Sequence, residues 1–121
     1  MAILTIIKSN EEFQRIFEKG HSIYGKYLVV YFLHHPCRQT RFGFCVGRKL
    51  GSAVKRNRIK RLFRVAARSL KLPSLSDWDI LFVARPAIAK ADLNRIIDEI
   101  KHILSKASFL CKNQGETEDS Q

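Results

Sequence analysis

Between Lys19 and Lys71 the chain has no aspartate and no glutamate, yet the same stretch carries fourteen lysines and arginines. A solvated protein surface ordinarily intersperses both signs. A surface of one sign repels itself unless a polyanion lies beside it, so the gap points to a nucleic-acid backbone as partner. The eleven acids lie at or before Glu18 and at or after Asp77, with three of them in the last six residues. Cysteine is scarce as well: Cys37, Cys45 and Cys111, with no Cys-x-x-Cys spacing. That argues against a disulfide framework or a zinc module and fits reduced thiols in the cytoplasm. Long apolar runs are missing. Met1–Ile7 is far too short to span a bilayer, and it lacks the basic lead and small-residue cleavage site of a secretory signal. No membrane partner is expected.

What is present suits one small domain. The chain has 121 residues, a formal charge of +11 and 45% apolar residues, enough for a single modest core. Ser9 with Glu12 has the spacing of a capping box, and Phe13, Ile16 and Phe17 follow at helical intervals up to Gly20. Tyr27–Leu33 reads as a strand with both faces apolar or aromatic. Arg41–Gly47 reads as a second strand. Phe42, Phe44 and Val46 lie on one side of it, and Gly43, Cys45 and Gly47 on the other leave room for a close approach.

A helix is expected over 53–70. Ile59, Leu62, Phe63 and Ala66 form its apolar stripe, and Arg56, Lys60, Arg64 and Arg68 form an i, i+4 ladder read as the opposite side, joined by Asn57 and Arg61. Each like-charge pair costs an isolated helix about 0.2–0.5 kcal/mol, a strain that a bound phosphate backbone would relieve. Asp77–Ala84 reads as a third strand. A last helix is expected over 90–110, with Leu93, Ile96, Ile97, Ile100, Ile103, Leu104 and Ala107 as its stripe. Helix, strand, strand, helix, strand, helix in one domain is α+β. The domain is expected over residues 9–110, after an arm at 1–8 and before a disordered polar tail at 111–121.

Few motifs carry chemistry. Gly47–Val54 is a glycine-bounded basic loop that resembles a phosphate-binding turn, but no Gly-Lys-Ser/Thr closes it as in a Walker A motif. Read alone it is a strand-to-helix connection; the basic helix behind it tips it toward a backbone-binding edge. Phe13, Phe17 and Tyr31 fit either a core or a platform on which unpaired bases stack. His34, His35 and Cys37 cluster without a second set of ligands, so no metal site is expected. No nucleophile–base pair or carboxylate pair stands out, and no catalytic residue is assigned.

The run Arg41–Arg61 resembles the signature of the bacterial ribonuclease P protein subunit: a strand, a Lys/Arg-rich glycine turn, then a helix with Arg56-Asn57-Arg58 followed by Ile59-Lys60-Arg61. The resemblance extends over about Ser9 to Leu110, including Asn10–Gly20, the Tyr27–Leu33 strand and the Trp78–Ala87 strand with its Ala-Arg-Pro-Ala ending. It implies an αβββαβα fold of ribosomal-protein-like type, with a left-handed βαβ crossover through the basic helix, an exception to the usual hand. It implies a protein that joins a catalytic RNA to remove the 5′ leader from precursor tRNA, leaving a 5′ phosphate. The RNA would perform the chemistry with Mg2+ that it holds itself, without an organic cofactor. The resemblance assigns Arg48, Lys49, Arg56, Asn57, Arg58, Lys60, Arg61, Arg64 and Arg68 to the catalytic RNA, with Arg58 expected to be partly structural. It assigns Phe13, Phe17 and Tyr31 to the single-stranded leader. The family often carries a basic N-terminal arm, whereas Ala2–Ile7 here is apolar. Three other readings compete: a general binder of structured RNA, a DNA-binding module using the basic helix in a major groove, and a protein-only nuclease. Under the resemblance no DNA partner is expected.

Overall fold

The computed structural model describes residues 5–34, 40–69 and 78–120, with side chains described for 6–34, 40–69 and 78–106. In chain order the elements are β1 (Thr5–Ile6), α1 (Asn10–Lys19), β2 (His21–Tyr24), β3 (Leu28–His34), β4 (Arg41–Cys45), a 3-10 turn (Arg48–Leu50), α2 (Ala53–Ser69), β5 (Trp78–Ala84), a second 3-10 turn (Pro86–Lys90) and α3 (Leu93–Ser120). From α1 onward this is the αβββαβα order expected of an α+β domain. One mixed sheet has the strand order β1-β4-β5-β3-β2. β3 pairs antiparallel with β2 and β5, while β4 pairs parallel with β5 and β1. The parallel β4–β5 pair requires a crossover, and α2 supplies it.

Alternation along β3 and β5 sends side chains to two differently covered faces. One face carries Leu28, Val30, Phe32, Phe42, Phe44, Ile80 and Phe82, all buried beneath α2 and α3. Phe63 of α2 is fully buried there, with its ring centroid 5.5 Å from Phe82 and 6.0 Å from Phe44. Ile96, Ile100, Ile103 and Leu104 close the same core from α3. Burial of each such side chain is worth about 1.5–3 kcal/mol, so this face holds most of the fold together. The opposite face has a smaller cluster: Ile7, Ile16 and Leu81 are buried, with Phe13, Tyr31, Leu33, Cys45 and Val83 packed around them. Among the described helices, α1 is the one that covers that side.

Several details differ from the expectations drawn from sequence. Ser9 is the N-cap of α1 in position, but its side chain makes no capping bond. Glu12 turns instead to Arg41 at 2.5 Å, and a buried-edge ion pair outcompetes a local cap. β1 was not expected, and β2 was implied by the αβββαβα order of the resemblance but not located along the chain. β2 is exposed except at Ile23, so it has no apolar alternation, and it exists because its backbone pairs with β3. β1 is two residues long and pairs with Arg41 and Phe42. Ile7 N–H then donates to the Phe42 carbonyl at 2.7 Å, so the apolar arm is built into the sheet. α3 starts at Leu93, where Asp92 Oδ1 accepts from the Arg95 N–H at 2.9 Å. It runs to Ser120, past the end expected at Leu110 and into the stretch read as a disordered tail. Extending an existing helix adds one bond per residue without a new nucleus, and lysine, glutamine and glutamate tolerate it. His35, Cys37 and Arg38 lie outside the described residues.

Candidate nucleic-acid interface

Gly51 sets the start of the basic helix. Its φ of 131° is a conformation that a side chain would strain, and it redirects the chain from the 3-10 turn into α2. Ser52 then caps the helix, its Oγ accepting from the Lys55 N–H at 3.3 Å. The first turn of α2 has no acid. Lys55 and Arg56 therefore sit at the positive end of the helix dipole, where an anion is the favoured neighbour.

Arg48 and Lys49 are exposed on the preceding turn, and Asn57, Arg58, Arg61, Arg64 and Arg68 are exposed on α2. Arg56 and Lys60 are only half exposed, which corrects the ladder as read from sequence. Each i, i+4 step advances about 40° around a 3.6-residue helix, so the ladder starts on the shoulder of the core stripe and ends on the outer face. The buried stripe is Ile59, Phe63, Ala66 and Ala67, with Leu62 at its margin. Nε of Arg56 is buried with no hydrogen-bond partner, an unmet donor. Arg58, expected to be partly structural, is exposed. With Lys55 it borders a cavity of about 220 Å³ floored by Leu50, Ile59, Leu62 and Ile88. Among the described residues no ion pair involves a cation of α2; both pairs present belong to Arg41.

Phe13, Phe17 and Tyr31 come together on the face covered by α1. Phe13 is half-buried and lies over Gly43, where an added Cβ would meet the Phe13 ring at 2.6 Å and Leu81 at 2.8 Å. Glycine at 43 is thus what lets α1 sit down on the sheet. Phe17 is exposed and meets Tyr31 edge-on at a centroid distance of 4.9 Å. Burial, then a hydrogen bond with Tyr24, pushes the Tyr31 hydroxyl above its ordinary pKa. Phe13 is therefore largely packing, whereas Phe17 and Tyr31 offer ring surface. Cys45 ends β4 on the same face; burial pushes its thiol up, and the ammonium of Lys60 pulls against that shift. β4 links the two surfaces: α2 packs against it, and its Cys45 lies among the side chains of the aromatic face.

A buried ion pair ties α1 to this face. Asp79, 3% exposed, accepts two bonds from Arg41, both at 2.8 Å, and Arg41 also reaches Glu12 on α1. Asp79 raises the Arg41 guanidinium further above its already high pKa. The sequence reading passed over Arg41 and Asp79 as site-shaping residues, along with Tyr24 and Arg85. The only sequence signal for the first pair was an acid inside an otherwise apolar strand.

The fold and sequence have known relatives. The family model Ribonuclease P matches residues 2–108. The ribonuclease P protein component of Caldanaerobacter subterraneus is 34% identical over 103 residues, covering 85% of this chain and 89% of that protein. That of Ligilactobacillus salivarius is 37% identical over 105 residues, covering 86% and 93%. Among solved structures, the Staphylococcus aureus RNase P protein superposes with a TM-score of 0.78 at 34% identity, covering 87% of this chain and 96% of the other. The Thermotoga maritima RNase P protein gives 0.76 at 27% identity, covering 83% and 94%. The chain belongs to the ribonuclease P protein family, whose members are the protein component of an RNA-processing endonuclease.

Proposed function

We propose that this protein binds the catalytic RNA of ribonuclease P through α2 and the 5′ leader of precursor tRNA through the aromatic face. It thereby promotes endonucleolytic removal of the leader at reduced magnesium. The observation that carries the reading is the cationic surface of α2, without an ion pair among the described residues, on a helix that packs against β4, the strand whose Cys45 lies on the aromatic face. Arg48, Lys49, Arg56, Asn57, Arg58, Lys60, Arg61, Arg64 and Arg68 supply donors and positive charge to RNA phosphates. Phe17 and Tyr31 stack unpaired leader bases, with Phe13 supporting them from beneath α1.

The protein's contribution is electrostatic and positional. Catalytic RNA and precursor tRNA repel one another, and a cationic helix between them lowers the counterion concentration their approach needs. Hydrolysis of the phosphodiester, leaving a 5′ phosphate on the tRNA, belongs to the RNA in this reading, and the protein alone is inactive. In this reading Mg2+ belongs with the RNA too. Among the described residues no helix is long and apolar enough to cross a membrane. We place the protein in the cytoplasm, with its RNA.

The test is cleavage of precursor tRNA by a bacterial ribonuclease P RNA at low magnesium, with and without the protein, and with protein alone. Cleavage at the mature 5′ end only when both are present is the expected result. Unchanged cleavage with retained RNA binding would reduce the protein to a general RNA binder.

A further inference from the structure

The last residue of β2, Tyr24, carries the most exposed large aromatic side chain described, at 67%. Packing does not account for a ring left that open at the end of a strand. Its position does suggest a use. Tyr24 pairs with Val29, and Ser22 with Tyr31, so Tyr24 lies diagonally beside Tyr31 on the same face of the sheet. The Tyr24 and Tyr31 side chains lie close enough to interact through their hydroxyls, and Phe17 of α1 meets Tyr31 edge-on. Phe17, Tyr31 and Tyr24 therefore follow one another along this face from α1 to the end of β2.

The Tyr24 end is both rigid and cationic. Gly25 N–H donates to the Leu28 carbonyl at 2.9 Å, closing the turn between β2 and β3. The N–H groups of Lys26 and Tyr27 donate to the carboxylate of Glu99 on α3, the latter at 2.8 Å. Arg85, exposed at the end of β5, donates from Nη1 to the Gly25 carbonyl at 2.8 Å, and its guanidinium carbon lies 5.9 Å from the Tyr24 ring centre. Lys26 is exposed on the same turn, with its ammonium 5.5 Å from the Tyr27 ring centre. Glu99, the acid at this turn, is occupied by backbone N–H groups. A presented ring beside a cation, here Tyr24 beside Arg85, is the pairing that holds one nucleotide of a single strand: base on the ring, phosphate on the cation.

We propose that Tyr24, with Arg85 beside it, is an additional leader subsite, stacking one unpaired base beyond Tyr31 and setting how long a leader this enzyme senses. The proposal rests on the reading of the aromatic face as the path of the leader. It adds a specificity-determining residue that the resemblance did not assign.

The experiment uses the holoenzyme, this protein with a bacterial ribonuclease P RNA, and cleavage-blocked precursor tRNAs whose leaders lengthen one nucleotide at a time. A fluorescent adenine analogue is placed at each leader position in turn. With the wild-type protein, one added nucleotide should tighten binding, and the analogue there should be quenched. Tyr24→Ala should lose that step, by roughly 5-fold in Kd for one stacked base, and lose the quenching at that position alone. Tyr24→Phe, which keeps the ring, should retain both. Because Tyr24 is exposed, mature tRNA should bind Tyr24→Ala holoenzyme as it binds wild type. A leader that strengthens binding equally for wild type and Tyr24→Ala overturns the subsite and leaves the leader path standing. A leader that adds nothing to wild-type binding overturns both.

Discussion

Arg41 does at residue scale what a capping box does at helix scale, and it does more. It joins three elements: β4, which bears it, β5 through Asp79, and α1 through Glu12. Removing one partner leaves a buried charge uncompensated. Arg41→Met should cost about 3–5 kcal/mol in urea unfolding, while Arg41→Met with Asp79→Leu should recover most of that loss. A double variant as unstable as the single one would mean that the pair acts through something other than charge. Cys45 allows a second check. Its folded pKa is raised by burial, so the associated stability is present below the usual thiol range, about 8.5, and is lost as pH rises through the folded value. In a variant carrying Cys37→Ser and Cys111→Ser, alkylation of Cys45 by iodoacetamide should have its pH midpoint above that of a free thiol. Bound precursor tRNA should slow the reaction further; equal rates with and without precursor would place the leader elsewhere.

At the scale of elements, α2 is where composition and structure coincide. An acid-free run at a 3.6-residue period with Ile59, Phe63 and Ala66 spaced along it had to be a helix with one apolar side, and it is. Replacing Arg56, Lys60 and Arg64 with alanine should weaken binding to the catalytic RNA and flatten its salt dependence by about 0.7–0.9 per lost phosphate contact. An unchanged slope would clear this face of RNA. Phe42, Phe44, Ile80 and Phe82 were equally legible, since strands buried on one side alternate. β2 was not, because His21, Ser22 and Tyr24 are exposed and the strand is defined only by its partner. For the same reason Tyr24 escaped notice. The roles of Phe13 and Phe17 could not be separated either: helical spacing places both near one side of α1, and only the absent side chain of Gly43 decides which of them sinks into the sheet.

The whole molecule divides its labour between the two faces of one sheet. α2 and α3 bury one face, while α1 covers only part of the other. The basic helix thus stabilises the fold with one side and presents charge with the other, and the aromatic face is left open without loss of the main core. The sheet's order adds a consequence for how such a protein is made. β5 lies between β3 and β4, which do not pair with each other. A nascent chain emerging N-terminus first cannot complete its sheet until the seven residues Trp78–Ala84 have left the ribosome. By then all of the α2 segment has already emerged, a polycation beside ribosomal RNA without the completed sheet it packs on. The strand that arrives last of the five and takes the central place is therefore the timing element of synthesis: until it docks, the RNA-seeking segment is exposed without the fold that gives it selectivity.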